Sequence, residues 1–185
     1  MSNYLICDLE ATCWDDRPQT IEQMEIIEIG CVVCSPEGRP ISEFSTLCKP
    51  VREPLLSTFC TNLTGITQDM VDTAPEYYQA LNDLDAWTKD YPIAAWGSWG
   101  EYDRRQFRAM AEHTGVTPEF TQQPHFNVRK VYQTWRGANR KADVHHALQN
   151  FGMKWEGPQH RALDDVRNIS RLIPHLLRHV EEKVR

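Results

Sequence analysis

Two acidic residues, Asp8 and Glu10, follow a short apolar segment near the start of the chain. The continuously apolar run 4–7 is typical of a strand buried on both faces, and residues two apart on a strand point to the same side. Like charges at the end of such a strand repel each other and are costly to desolvate. A bound metal ion would relieve both costs; alternatively, the strand simply reaches solvent at this point.

A third acid, Asp103, falls on the inner face of a predicted helix over residues 101–114. At about 100° per residue, the apolar side chains of this segment form one stripe, and Asp103 lies near its middle. An acid that points into a protein needs a partner. The alternative is an acid of the first turn that is stabilised by the helix dipole.

Two adjacent acids, Asp164 and Asp165, begin the last predicted helix, over residues 161–178. Asp165 lies about 80° from the centre of the apolar face, whereas Asp164 lies almost opposite that face. The geometry therefore selects Asp165 as the acid that reaches a cleft and predicts that Asp164 faces water. His160 precedes the helix, where its ring can lie over the same cleft; alternatively, it is a structural or solvated histidine.

The elements that must position these residues follow from apolar patterning. Segments 4–7, 25–34 and 41–47 are predicted strands that form an antiparallel meander, with a turn at 36–40, and 93–96 is a further buried strand. Helices are predicted over 68–72, 76–89, 101–114, 128–135, 144–151 and 161–178. Pro174 is expected to kink or end the last helix early. Strands followed by alternating strand and helix predict an α/β protein with a mixed sheet flanked by helices.

Length and composition set broad limits. A chain of 185 residues fits one domain, and its net charge of −6 gives no general basic field to attract phosphate, which argues mildly against a nucleic-acid partner. Two bound divalent cations would offset part of that charge. No apolar run approaches the roughly 20 residues needed to cross a membrane, and residues 1–6 lack the basic flank of a signal peptide. We therefore expect no membrane partner and a cytoplasmic location.

Cysteine spacing offers a second possible chemistry. Cys31 and Cys34 form a C-x-x-C pattern, which can indicate a zinc or redox site. Both belong to the predicted strand 25–34, where residues three apart point to opposite faces. The two thiols are therefore not expected to share a ligand, and buried free thiols are the expectation for the six cysteines.

Together, the order and spacing of these residues resemble those of the histidine-type DEDD (DEDDh) 3′–5′ exonucleases. The resemblance rests on the segment DLEATCW at 8–14, on Asp103, and on His160 five residues before Asp165. The segments EIG at 28–30 and LTGI at 63–66 look more specifically like the ERI-type RNA exonucleases. The resemblance extends from Leu5 to about Ile173, so residues 1–185 are expected to form a single exonuclease domain.

The resemblance implies a ribonuclease-H-like fold with a mixed five-stranded sheet. It also implies two divalent cations: Asp8 bridges them, Glu10 and Asp165 complete one site, and Asp103 supports the other. An all-carboxylate set suits Mg²⁺ or Mn²⁺ rather than zinc. By the same analogy His160 is the general base, and the product is a nucleoside 5′-monophosphate cut from a nucleic acid 3′ end.

Substrate contacts are expected around the first motif. Thr12, Cys13 and Trp14 should line the pocket of the terminal nucleotide, Leu63 and Ile66 a second wall, and Trp14 or Trp99 can stack on a base. Several cations are possible phosphate guides: Arg104, Arg105, Arg136, Arg140, Lys141 and Arg161. Glu28 matches the family pattern, but neither it nor Glu25 receives a chemical role from the sequence.

Two alternatives remain open. A DNA 3′–5′ exonuclease of the proofreading or repair type would carry the same motifs, and only the ERI-like segments favour RNA over DNA. A catalytically silent nucleic-acid-binding adaptor on the same fold is the other alternative, although such a copy usually lacks at least one of the five residues.

Overall fold

A mixed five-stranded sheet in the order β3-β2-β1-β4-β5 forms the centre of the protein. The computed structural model describes residues 3–17, 19–137 and 142–184, so Arg140 and Lys141 lie outside the described residues. The strands are β1 (Asn3–Ala11), β2 (Ile26–Cys34), β3 (Pro40–Leu47), β4 (Ile93–Ser98) and β5 (His125–Asn127). The first three are antiparallel neighbours, whereas β4 runs parallel to β1 and β5 parallel to β4. The α/β class and the early meander are thus confirmed.

Eight α-helices surround the sheet within the described ranges. They are α1 (Thr58–Thr64), α2 (Gln68–Asp72), α3 (Tyr77–Thr88), α4 (Tyr102–Thr114), α5 (Val128–Arg136), α6 (Val144–Asn150), α7 (Ala162–Ser170) and α8 (Ile173–Val184). The last predicted helix is divided into α7 and α8, with Pro174 in the first turn of α8, where a missing N–H is tolerated. None of the helices within the three described ranges combines the length and apolar character needed to cross a membrane.

Three short elements escaped prediction. Helix α1 has seven residues, the 3₁₀ helix Glu119–Gln122 has four, and β5 has three. Segments this short cover two turns of helix at most or a few strand positions, so their periodicity is weak, although the five-residue α2 was predicted.

Each face of the sheet packs against its own hydrophobic core. Leu5, Cys7 and Leu9 of β1 point to the core formed with α3 and α4, whereas Tyr4 and Ile6 point to the core formed with α5 to α8. Alternation along the strand therefore places Asp8 and Glu10 on the α7 side of the sheet. Cys31 and Cys34 lie in different cores, as the strand geometry predicts, and all six cysteines are free thiols.

Helix α7 approaches β2 so closely that only a glycine fits between them. A Cβ atom on Gly30 would lie 2.3 Å from the carbonyl carbon of Ala162 and 2.5 Å from the amide nitrogen of Leu163. Both are backbone atoms, which cannot move without shifting the helix. Gly30 pairs with Asp8 across the β1–β2 ladder, so this contact brings the first turn of α7 over the acidic end of β1.

We predict that Gly30→Ala destabilises the protein by about 1–3 kcal/mol, because overpacking must displace α7. The free energy of unfolding by urea denaturation measures the effect. Gly100→Ala is the matched control: the added Cβ would meet only a flexible Arg129 side chain at 3.8 Å, and stability should change little. Equal stabilities for the two variants would show that α7 is not tightly seated on the sheet.

Candidate active site

Glu10, His160 and Asp165 converge at one end of the sheet, where ligand atoms of all three lie within 4.8 Å of one another. Glu10 is buried near the end of β1, Asp165 is half-buried in the first turn of α7, and His160 is exposed immediately before that helix. Glu10 is about 150 residues distant in sequence from His160 and Asp165, so tertiary packing alone brings it to them.

Asp8 and Asp103 lie beside this group. The backbone amide of Leu9 donates a 3.1 Å hydrogen bond to Asp103 Oδ1, which attaches α4 to β1 between the two acids of the strand. Asp103 is only 5% exposed, in agreement with its predicted inward orientation. Burial, followed by the charges of Asp103, Asp165 and Glu10, raises the pKa of Asp8 well above its usual range. All four acids therefore share one electrostatic environment.

The pKa values of the other acids are also raised. Burial is the main cause for Glu10, whose pKa is about 8, for Asp165, about 7, and for Asp103, about 6. For Glu10 the charges of Asp165 and Glu28 add to this effect. In addition, Asp165 Oδ1 is buried and has no hydrogen-bond partner within the described residues. Clustered carboxylates with an unpartnered oxygen are suited to hard divalent cations.

A tightly tied loop presents His160. Its backbone has φ +59°, a left-handed conformation that is uncommon for residues other than glycine. Asn168, fully buried on α7, accepts from the amide of Glu156 at 3.1 Å and donates to the carbonyls of Glu156 and Asp164 at 2.7 and 2.8 Å. These bonds hold the start of the loop against α7, so the position of His160 depends on the helix.

Asp164 does not face water freely, contrary to the expectation from the helix geometry. Its carboxylate packs against Gly157, where a Cβ atom would lie 2.7 Å from Oδ1, and it accepts a hydrogen bond from Arg167 at 3.3 Å. The loop that carries His160 folds back over the outer side of α7, and the side chain of Asp164 is covered by this loop.

Glu28 is a buried acid whose role becomes visible only in the structure. It accepts hydrogen bonds from Arg161 Nη2 at 2.8 Å, from Arg161 Nε at 3.1 Å and from the backbone amide of Ala162 at 2.9 Å. An amide in the first turn of a helix has no partner within the helix. Glu28 supplies that partner from β2, and it thereby fixes the end of α7 that carries His160 and Asp165.

Glu25 has a different structural role. Its carboxylate accepts hydrogen bonds from three successive backbone amides, Val51 at 2.9 Å and Arg52 and Glu53 at 3.0 Å. This buried acid orders the loop after β3 and makes no contact with the acidic cluster. A single acid inside an otherwise apolar strand was the available signal for both Glu25 and Glu28, but strand periodicity could not identify their partners.

The residues expected to bind substrate differ in how accessible their side chains are. Thr12 is buried, and its hydroxyl accepts from the amide of Glu25 at 2.9 Å; Ile66 is fully buried in a small core with Ile27 and Val71. Their side chains are unavailable to a ligand in this conformation.

The remaining expected contacts retain some accessible surface. Cys13 is half-buried, with its carbonyl bonded to the Ser57 hydroxyl, which also caps α1. Leu63 is exposed on that helix. Trp14 is half-buried, and the guanidinium of Arg17 lies 4.4 Å from the centre of its ring. Trp99 packs beside Tyr132 at the edge of a core, which limits its use as a stacking surface.

Tyr102 is an aromatic neighbour of the acids that the sequence did not indicate. It precedes Asp103 and is 43% exposed. Burial of its hydroxyl, followed by the charges of Asp103 and Glu10, raises its pKa well above the usual range. The ring therefore lies close to the acidic cluster and retains a solvent-facing surface, as a base-stacking residue requires. Its adjacency to Asp103 was the only sequence signal.

Comparison with known proteins identifies the family. The sequence model of the RNase_T exonuclease family matches residues 5–173. The chain belongs to this exonuclease family. It is 29% identical over 197 residues to the 3′-5′ exonuclease eri1 of Schizosaccharomyces pombe, covering 91% of this chain and 66% of that protein. It is 32% identical over 188 residues to 3′-5′ exoribonuclease 1 of Mus musculus, covering 93% of this chain and 52% of that protein.

The fold agrees with this family membership. The nuclease domain of 3′hExo, a DEDDh family member solved with bound rAMP, superposes with a TM-score of 0.86 at 29% identity. The match covers 96% of this chain and 92% of that structure. The expected ribonuclease-H-like architecture of the DEDDh exonucleases is thus confirmed. The chain spans less than two-thirds of the length of the curated relatives named above.

We predict that Glu28→Gln lowers turnover on the order of 10–100-fold, the usual effect of losing a group that orients metal-site ligands. The glutamine keeps an oxygen for the Ala162 amide but loses the charge that pairs with Arg161. Turnover number and KM measured separately, with circular dichroism to verify folding, test this. Glu43→Gln, which removes the exposed ion pair between β3 and Arg167 of α7, is the matched control and should retain activity. Equal activity in both variants would contradict the role of Glu28.

The raised pKa values predict how the metal-free protein responds to pH. Because the folded state keeps protons on Glu10 and Asp165 that the unfolded chain releases above about pH 4, stability falls as pH rises toward 8. In EDTA, the melting temperature should therefore be lower at pH 8 than at pH 6. Added Mg²⁺ or Mn²⁺ should raise it more at pH 8, where fewer protons must be displaced.

Asp165→Asn provides the control for this experiment, because it removes one of the titrating groups and should flatten the pH dependence. A wild-type protein that becomes more stable between pH 6 and pH 8 in EDTA would show that the pKa values of these acids are not raised in the folded state.

Proposed function

We propose that this chain is a metal-dependent 3′–5′ exonuclease that removes nucleoside 5′-monophosphates one at a time from RNA, and that it works as a single exonuclease domain. The observation that carries the proposal is the convergence of Glu10, Asp165 and His160 ligand atoms within 4.8 Å, beside Asp8 and Asp103. An imidazole next to clustered acids unites a general base with a cation site, which is the combination that phosphodiester hydrolysis needs.

The carboxylates fit two divalent cations, Mg²⁺ or Mn²⁺. Glu10 and Asp165 would hold one ion, Asp103 would support the other, and Asp8, which feels the charges of all three, would contact both. The donors are oxygens, and Asp165 Oδ1 has no hydrogen-bond partner within the described residues, as expected for a metal ligand. When bound, such ions make water more acidic and stabilise negative charge on the attacking and leaving oxygens.

His160 would accept the proton of the attacking water. Its ring is exposed to solvent on one side and lies against Glu10 and Asp165 on the other. The proton can therefore pass from the water to an imidazole nitrogen and then to solvent. The fixed backbone of the loop, tied to α7 through Asn168, orients the ring before substrate arrives.

The terminal nucleotide would occupy the space between the end of β1, α1 and the start of α4. Tyr102 offers an accessible aromatic face beside the acids, and Cys13, Trp14 and Leu63 would complete the pocket. Stacking on an aromatic ring accepts every base, which suits an enzyme that trims successive nucleotides. The similarity to a named exoribonuclease and to a nuclease domain solved with rAMP supports RNA rather than DNA as substrate.

The proposed location is the cytoplasm. All six cysteines are free, and Cys7 and Cys31 lie side by side across the β1–β2 ladder without forming a disulfide. Neighbouring thiols are most compatible with a reducing compartment.

Variants of the cluster test the catalytic roles. Asp8→Asn and Asp165→Asn should each abolish metal-dependent turnover, because each removes a charged ligand. His160→Ala should lose roughly 10²–10⁴-fold in turnover while calorimetry still detects Mn²⁺ binding. Asp164→Asn is the matched control, since that acid packs on Gly157, and it should remain active. A fully active His160→Ala protein would exclude His160 as the base.

Matched RNA and DNA oligonucleotides test the substrate class. With a 5′ label and a free 3′-hydroxyl, RNA should shorten one nucleotide at a time in Mg²⁺ and remain intact in EDTA. Chromatography should detect nucleoside 5′-monophosphates as the product. Faster shortening of DNA would indicate the repair-type alternative, and binding without any shortening would indicate an adaptor.

A further inference from the structure

A groove lined by both apolar and polar side chains runs along the outer side of α4, between this helix and the segment 117–125. Its volume is about 720 Å³, and none of the five proposed active-site residues lines it. Trp96 and Phe107 contribute to its lining, with Arg104 and Arg108 on the α4 side and Gln122 and other polar side chains on the opposite side. The groove is thus distinct from the acidic cluster, although both use α4.

The α4 side of the groove is a local concentration of positive charge in an acidic protein. Arg104, Arg105 and Arg108 occupy three of five consecutive positions, whereas the net charge of the chain is −6. Arg104 and Arg108 are one helical turn apart, so they follow the same face. Arg108 is 84% exposed at the side chain and meets Glu112 only at 3.7 Å, which leaves its charge available to a ligand.

Glu101 is the one acidic residue among those that line the groove, and other groups already surround its carboxylate. It accepts a hydrogen bond from Asn127 at 3.0 Å and lies 3.4 Å from the ammonium of Lys130. Burial lowers the pKa of the nearby His125 to about 4, so this imidazole is neutral at pH 7. Arg104 also pairs with Glu101 at 3.7 Å, so the surplus charge of the groove comes from Arg105 and Arg108.

One buried hydrogen-bonding group beside the groove lacks a partner within the described residues. The indole Nε1 of Trp96 is buried, in a residue that is 1% exposed, and it has no hydrogen-bond partner within the described residues. The exposed Gln122 lines the opposite side and presents an amide group. The accessible donors of the groove are therefore the guanidinium groups and the Gln122 amide, which can bind phosphate oxygens.

We propose that this groove binds phosphate groups of the RNA strand on the 5′ side of the nucleotide being removed. The inference rests on the proposed exonuclease function. Asp103 and Tyr102 begin α4 at the acidic cluster, and Arg104 and Arg108 follow on the same helix, so a strand leaving the cluster can continue along it. Contacts to phosphate hold a strand without selecting its sequence, which suits stepwise trimming.

A negative charge introduced on each side of the groove tests the proposal. Arg108→Glu and Gln122→Glu alter different elements, and both positions are exposed, so both variants should fold. Each should weaken the binding of a 12-nucleotide RNA on the order of 10-fold, and Arg108→Glu should reduce the salt slope by about 0.7. Fluorescence anisotropy in EDTA measures binding without cleavage, and hydrolysis of a dinucleotide in Mg²⁺ reports the acidic cluster alone.

The controls are Arg178→Glu and Arg108→Lys. Arg178 is an exposed arginine of α8 that pairs with Glu182 one turn away, as Arg108 does with Glu112, and its reversal should leave RNA binding unchanged. Arg108→Lys should retain most of the affinity because it keeps the charge. An equal loss for Arg178→Glu, an equal loss on the dinucleotide, or unchanged RNA binding in both groove variants would overturn the proposal.

Two further outcomes are distinguishable. If no substrate is hydrolysed by the wild-type protein, the exonuclease proposal fails, while anisotropy in EDTA still measures whether the groove holds RNA. If an acidic peptide such as polyglutamate competes with RNA for the wild-type protein but not for Arg108→Glu, and binds more tightly than RNA, the groove is a protein-binding surface and the assignment to RNA is overturned.

Discussion

The attachment of the α7 N-terminus to β2 is the interaction on which the candidate active site depends. Glu28 supplies the hydrogen-bond acceptor that the first turn of the helix lacks, and Gly30 allows the helix backbone to approach within the distance that a Cβ atom would occupy. Together with the Asn168 hydrogen bonds and the packing of Val166 and Ile169 in the core, these two residues hold His160 and Asp165 against Glu10. Two residues of β2 thus help to determine where the side chains of His160 and Asp165 lie.

The electrostatic environment of the four acids explains why the cluster suits divalent cations. Burial favours the neutral forms of all four acids, and repulsion between carboxylates adds to this effect for Asp8, Glu10 and Asp165. Bound divalent cations would reverse this balance, because the charge of such an ion exceeds that of any side chain in the vicinity. The raised pKa values and the unpartnered oxygen of Asp165 are therefore two consequences of the same arrangement.

Helix α4 connects two regions of opposite charge. Its first turn carries Asp103 into the acidic cluster, and its outer face carries Arg104 and Arg108 along the groove. The overall charge of −6 conceals this separation, since a net value averages over the surface. A polyanion would be attracted by the outer face of the helix and would meet the acidic end only where cations neutralise it.

The sequence by itself determined which way several side chains point. Helical periodicity placed Asp103 inward and separated Asp165 from Asp164, and strand alternation assigned Cys31 and Cys34 to opposite faces, all of which the structure shows. Periodicity reports the direction of a side chain relative to its own element, which is a local property. It was also sufficient for the longer strands and helices, but not for α1 and β5.

Only the tertiary structure decided what each side chain meets. The roles of Glu28 and Tyr102, the burial of Thr12 and Ile66, and the loop that covers Asp164 all depend on segments distant in sequence. The same holds for the convergence of Glu10 with His160 and Asp165, which a family resemblance predicted but no local pattern required. Contacts between elements arise from packing, and packing is a property of the whole chain rather than of any segment.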